Sequence, residues 1–80
     1  MGINMVTIVG KYEGMNWQDL LIDIGKNGET KIIPVRVAGD LANQILESAE
    51  IGKTVGVKGV VDIDIGTGVI IRADRISIIS

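Results

Sequence analysis

The chain has no cysteine, no histidine and no phenylalanine, and only one proline, one tryptophan and one tyrosine. Without Cys and His it lacks the ligands of ordinary zinc, iron–sulfur and haem sites, and it has no means of building a Ser-His-Asp or Cys-His nucleophile. The expectation is a protein that is not an enzyme, with no catalytic residues, no cofactor and no metal. No disulfide framework exists either, so the fold rests on burial alone and a cytoplasmic setting is expected. Positive charge is not in excess: 8 Lys and Arg stand against 10 Asp and Glu, a net charge of −2 with pI ≈ 4.9. Bulk electrostatics draws such a chain to neither nucleic acid nor anionic lipid, and a polyanion has to be met by a local patch. Charged residues interrupt every apolar stretch before the ~18 residues of a membrane helix, so no membrane partner is expected. The opening Met1-Gly2-Ile3-Asn4-Met5-Val6 lacks the regions of a signal peptide, and Val6 stands where a myristoylation motif wants Ser or Thr.

What is abundant points to strands and tight turns. Val and Ile fill 24 of the 80 positions and Gly another 11, a mixture suited to one small β domain over residues 1–80. Met5-Val6-Thr7-Ile8-Val9 is a β-branched run ending in Gly10-Lys11, where a bulge or bend is expected. Glu13-Gly14-Met15-Asn16 breaks it, and residues 19–24 form a second strand stopped by Gly25-Lys26-Asn27-Gly28. Asn27-Gly28 is a hairpin signal because both residues tolerate positive φ, so residues 30–37 pair back antiparallel as a third strand. Pro34 lacks an N–H and belongs where that strand's edge is open or bulged.

The period then changes. From Asp40, Leu41, Ala42, Ile45, Leu46 and Ala49 fall at helical spacing, with Gly39-Asp40 as a cap and Gly52 after the end. Residues 54–63 and 69–79 are a fourth and fifth strand joined by Gly66-Thr67-Gly68, and Gly56 and Gly59 mark bending or close backbone approach. The order β-β-β-α-β-β, with five bent antiparallel strands closing on themselves around one plugging helix, describes an all-β OB-fold, a five-stranded Greek-key barrel.

Ile3-Asn4-Met5-Val6-Thr7-Ile8-Val9-Gly10-Lys11, Ile33-Pro34-Val35-Arg36-Val37, Leu41-Ala42, Ile51-Gly52-Lys53, Val55-Gly56-Val57-Lys58-Gly59, Val69-Ile70-Ile71 and Ala73-Asp74-Arg75-Ile76 together resemble, in order and spacing, the bacterial single-stranded DNA-binding protein family. The resemblance implies non-catalytic binding of single-stranded DNA, or RNA, as an accessory to replication, recombination or mobile-element maintenance. It also implies an oligomer and a replication protein partner. The chain departs from the family in its short loops, which predict a reduced binding surface, and in Val35, which stands where the family often has Trp. No acidic tail follows Ile78-Ile79-Ser80, which resembles the tail-less primosomal relatives that act as dimers beside a helicase.

The candidate nucleic-acid-binding residues are Lys11, Tyr12, Trp17, Lys31, Arg36, Lys58 and Arg72. Tyr12 and Trp17 flank the first turn and would stack bases; alternatively Trp17 covers the barrel's open end or packs in a subunit interface. The Lys and Arg residues alternate along strands that a groove would gather beside phosphates, Arg36 and Lys58 foremost, although solubility and edge protection also use such residues. Asp62, Asp64 and Asp74 lie near enough to neutralise part of the patch, and Asp62 with Asp64 offers too few ligands for a hard cation. Gly52-Lys53-Thr54 imitates the end of a P-loop, but Glu47 replaces its first glycine and a strand follows. Oligosaccharide binding, also common in this fold, wants more aromatic platforms than the chain has. Ile32 with Ile33, Val60 with Val61 and Ile70 with Ile71 occupy both strand parities, which predicts a homodimer or dimer of dimers through sheet faces or the first strand's edge. The competing reading is an OB-fold module for protein–protein interaction or oligomeric scaffolding, with little or no nucleic-acid binding.

Overall fold

The computed structural model describes residues 4–79 apart from the Leu46 side chain; the readings placed on residues 1–3, on Leu46 and on Ser80 lie outside the described residues. The elements follow as β1 (Met5–Asn16), β2 (Asp19–Asp23), β3 (Ile32–Arg36), α1 (Gly39–Ser48), β4 (Thr54–Asp64) and β5 (Gly68–Ile78). The strands close in the order β1-β2-β3-β5-β4, which is the OB-fold barrel. Strand alternation sends Tyr12, Leu20, Ile22, Val35, Val55, Val57 and Ile71 into one interior cluster, and Ile45 of α1 joins it with Leu41 and Ala42 alongside. Each fully buried aliphatic side chain contributes ~1.5–3 kcal/mol relative to exposure.

Closure is not antiparallel throughout. β3 meets β5 in a parallel ladder of only two pairs, Val35 with Ile71 and Arg36 with Arg72, because a Greek-key barrel returns to its third strand from the same direction. The Pro34 expectation holds for a readable reason. Ile24 N–H donates to the Lys31 carbonyl and Val37 N–H to the Gln18 carbonyl, so in the β2–β3 register Leu21 and Pro34 form a non-hydrogen-bonded pair. The proline nitrogen therefore faces the β5 side, where the ladder begins one residue later.

Two sequence expectations for β1 need correction. Glu13-Gly14-Met15 does not end the strand: β1 runs on to Asn16, and its register against β2 shifts between Tyr12 and Met15, with Gly14 at φ 112° absorbing the bulge. Gly10 is not that bulge; a Cβ there would collide with the Asp23 carbonyl and stand 2.7 Å from Ile22 Cγ2. Gly59 marks a true irregularity, since β4 and β5 shift register between Lys58 and Gly59 and a Cβ at Gly59 would overlap the Arg72 carbonyl.

The turns and helix otherwise follow their chemistry. Asn27 (φ 57°) and Gly28 (φ 83°) take the expected positive φ, and the Asp23 carboxylate ties the loop by accepting from the Gly25 and Lys31 N–H groups at 2.9 and 3.0 Å. α1 is capped by Ala38 without a side-chain bond, so Gly39 and Asp40 are not the cap and instead form the first turn, where the Asp40 charge favours the positive end of the helix dipole.

Candidate nucleic-acid interface

Asn16 pairs with Asp19, leaving Trp17 and Gln18 as a two-residue hairpin turn. Such a turn demands positive φ at its first central residue, which is ordinarily Gly or Asn. Here it is Trp17, at φ 60° and 94% exposed. A bulky residue held at positive φ costs roughly 1–2 kcal/mol, and in this position it buys no burial. The exposure also excludes the alternative in which Trp17 covers the barrel's end.

Beside it lies Arg36. Interior positions alternate with outward ones on β2 and β3, so Asp19 and Arg36, which are paired across the strands, share the outer face. Arg36 Nε and Nη2 donate to Asp19 Oδ1 and Oδ2 at 2.9 and 3.2 Å, while Nη1 donates to Asp64 Oδ1 at 2.9 Å. Because β5 lies between β3 and β4, the second bridge crosses it, which accounts for Ile70 being completely buried although it points away from the interior cluster that holds Ile71. The two carboxylates, Asp19 foremost, raise the guanidinium pKa further above its usual value. Reciprocally, Arg36 first and then the Thr67 N–H lower the Asp64 pKa to about 2. Asn16, Trp17, Gln18, Asp19, Arg36 and Thr67 line a cleft of about 400 Å³ between the β1–β2 and β4–β5 turns.

The other candidates divide. Tyr12 is corrected: at 5% exposure it belongs to the barrel core, because the strand parity that turns Lys11 outward turns its neighbour in, and desolvation raises its phenol pKa. Arg72 lies on the outer face beside Arg36 and is ion-paired with Asp62. The Arg72 guanidinium, ahead of the Ile63 N–H, lowers the Asp62 pKa. Lys58 faces outward opposite Arg75, and neither takes part in an ion pair among the described residues. Lys11 and Lys31 stand apart from the cleft, about the loop after β2; Lys31 is exposed and 3.3 Å from Glu29. The structure thus brings Trp17 and Arg36 together on the cleft, sets Arg72 beside Arg36 and Lys58 two positions from Val60, the β4 partner of Arg72, and leaves Tyr12, Lys11 and Lys31 out. Sequence reasoning missed Asn16, Gln18 and Thr67, which only the approach of two turns unites, and Arg75, which the β4–β5 register shift sets beside Lys58. Along this face Arg36, Arg72, Lys58 and Arg75 are matched by Asp19, Asp62, Asp64 and Asp74, so no strongly basic groove forms.

These features define an OB-fold barrel with an open cleft at the position where barrels of this class take ligands. Solved structures share the architecture over nearly the whole chain. A mitochondrial single-stranded DNA-binding protein of S. cerevisiae superposes with a TM-score of 0.82 at 18% identity, covering 99% of this chain and 96% of that one. The small single-stranded DNA-binding protein of Streptomyces coelicolor gives 0.73 at 20% identity, covering 99% and 95%. The N-terminal domain of the PriB protein of Thermoanaerobacter tencongensis, solved as a dimer, gives 0.71 at 17%, covering 96% and 97%. No protein-family model and no curated protein matches the sequence. Among the described residues no helix is long and apolar enough to cross a membrane.

Proposed function

We propose that this chain is a non-catalytic binder of single-stranded DNA, accessory to replication, recombination or mobile-element maintenance. The observation that carries the reading is Trp17, held exposed at a conformational cost on the rim of the cleft between the β1–β2 and β4–β5 turns. Strain retained without burial is a mark of function, and a stacked base is worth about 1–3 kcal/mol on such a platform while demanding no particular sequence. The fold's likeness to single-stranded DNA-binding proteins supports the reading.

Electrostatics adds less than the sequence suggests, because Arg36 and Arg72 are already paired with carboxylates. If Lys58 and Arg75 supply the phosphate contacts, a slope of ~0.7 per contact gives roughly a sevenfold loss of affinity from 50 to 200 mM salt. The test uses the chain's single tryptophan as reporter. Titration with a thirty-nucleotide oligo-dT at low salt quenches Trp17 fluorescence saturably, and duplex competitor fails to reverse it. An unchanged emission spectrum at 100 µM protein refutes the reading.

The assembly rests on a different observation. Residues 5–10 of β1 pair with β4 alone, since pairing with β2 starts at Lys11. The run Met5-Val6-Thr7-Ile8-Val9 has none of the charges or prolines that usually protect an open edge. A second copy completes it by antiparallel β1–β1 pairing, and the exposed Met5 and Val9 of the run itself supply apolar surface for it. Sedimentation at tens of micromolar reads a dimer or larger species; a monomer removes this part. Saturable dimerisation with no Trp17 quenching would instead favour the scaffold reading, which the neutralised cleft and exposed apolar residues support.

A further inference from the structure

The anchoring of Asp64 has a second meaning. Its Oδ1 accepts from Arg36 Nη1 at 2.9 Å, and its Oδ2 accepts from the consecutive backbone N–H groups of Gly66 and Thr67 at 3.1 and 3.0 Å. A guanidinium together with two successive main-chain donors in a turn is a donor set suited to a phosphate, whose unesterified oxygens match both the charge and the spread of a carboxylate. Thr67 and Arg36 also line the cleft that Trp17 borders, so a base stacked on Trp17 carries its phosphodiester toward these donors.

We propose that Arg36, Gly66 and Thr67 form a phosphodiester-binding site of the single strand, and that Asp64 occupies it in the free protein as an internal competitor. This rests on the reading of the cleft as a nucleic-acid site and names its phosphate contact. Displacement is feasible without unfolding the site. Asp64 is the last residue of β4 with its side chain 32% exposed, so rotation of one side chain vacates the donors. Arg36 stays aimed meanwhile, because Asp19 holds its Nε and Nη2 and leaves Nη1 free for the incoming oxygen. The site explains why an arginine at the cleft contributes little standing attraction: its second partner is supplied from within the chain.

Replacing Asp64 with Asn removes the competing charge and leaves the three donors. Asp64→Asn binds the thirty-nucleotide oligo-dT at least about fivefold more tightly than wild type, whereas Glu50→Gln, the same charge change in the α1–β4 turn, shifts affinity less than about twofold. Inorganic phosphate raises the thermal midpoint of Asp64→Asn more than that of wild type. In the unmodified chain, amide resonances of Gly66 and Thr67 move with oligo-dT saturation, which keeps the proposal testable if the variant does not fold. Binding by wild type and Asp64→Asn with equal affinity, or saturation that leaves the Gly66 and Thr67 amides unmoved, overturns it while the nucleic-acid reading stands. Phosphate protection of Asp64→Asn without oligo-dT binding by either protein upholds the anion site and defeats the nucleic-acid reading.

Discussion

Trp17→Gly separates stability from binding, and the two effects carry opposite signs. Trp17 is 94% exposed, so its removal forfeits almost no burial. Its φ of 60° costs an L-residue roughly 1–2 kcal/mol and a glycine almost nothing. Against that, glycine adds roughly 0.5–1 kcal/mol of unfolded-state entropy. The net lies between about 0 and 1.5 kcal/mol of gain, and the centre of that range raises the thermal midpoint of a domain this size by roughly 3–6 °C. Binding moves the other way: losing one stacking platform weakens affinity for oligo-dT by about 5- to 150-fold. Calorimetry reads the first effect and anisotropy of a labelled oligonucleotide the second. A lowered midpoint refutes the strain argument, and unchanged affinity refutes the stacking argument; either result stands without the other.

Three further outcomes follow from the geometry. Gly59→Ala forces a Cβ into the Arg72 carbonyl at the β4–β5 irregularity and should cost about 2–4 kcal/mol in urea unfolding, a loss under about 0.5 kcal/mol showing that the strands part readily there. Tyr12→Phe keeps the core packed and leaves oligo-dT affinity within about twofold, because the ring is interior; a large loss would return Tyr12 to the binding surface. Lacking histidine, the protein keeps constant stability between about pH 5 and 8. Because the folded pKa of Asp64 is depressed from 3.8 to about 2, and those of Asp23 and Asp62 are also lowered, their stabilisation is complete above the unfolded value and is lost as pH falls from about 4 to 2. Thermal melts across pH check this, and a transition near pH 6 would contradict it.

Much of the fold is legible in local pattern. The Asn27-Gly28 turn, the helical spacing from Leu41 to Ala49 and the alternation of Val55 and Val57 are each set by neighbours a few residues apart, and each appears in the structure. β1 is the exception that shows the limit. Glu13-Gly14-Met15 has the composition of a loop, yet Ile22 pairs with Tyr12 before the Glu13-Gly14 bulge and Leu20 and Asp19 pair with Met15 and Asn16 after it, so a long-range ladder carries the strand through a locally unfavourable stretch. Pro34 shows the reverse, a local constraint that the barrel accommodates by placing it where its closing ladder is shortest.

The candidate site was less legible than the fold. Strand parity decides whether a side chain meets solvent or core, and a bulge or a register shift reverses that parity without any mark in composition. Tyr12, which precedes the β1 bulge, reads as a turn-flanking surface aromatic in sequence yet keeps the inward parity of Val6 and Ile8, while Arg75 reads as one more strand cation and the β4–β5 register shift sets it opposite Lys58. The chain by itself determined the absence of histidine and cysteine chemistry, the order of strands and helix, and the turns that glycine and asparagine permit, because these depend on residue type and near neighbours. Only the tertiary structure decided that Trp17 faces solvent, that Asp19 and Asp64 converge on Arg36, and that Gly66 and Thr67 complete its donor set. Asp19 and Asp64 stand 17 and 28 positions from Arg36, and β2–β3 pairing for the first and barrel closure for the second place them within hydrogen-bonding reach.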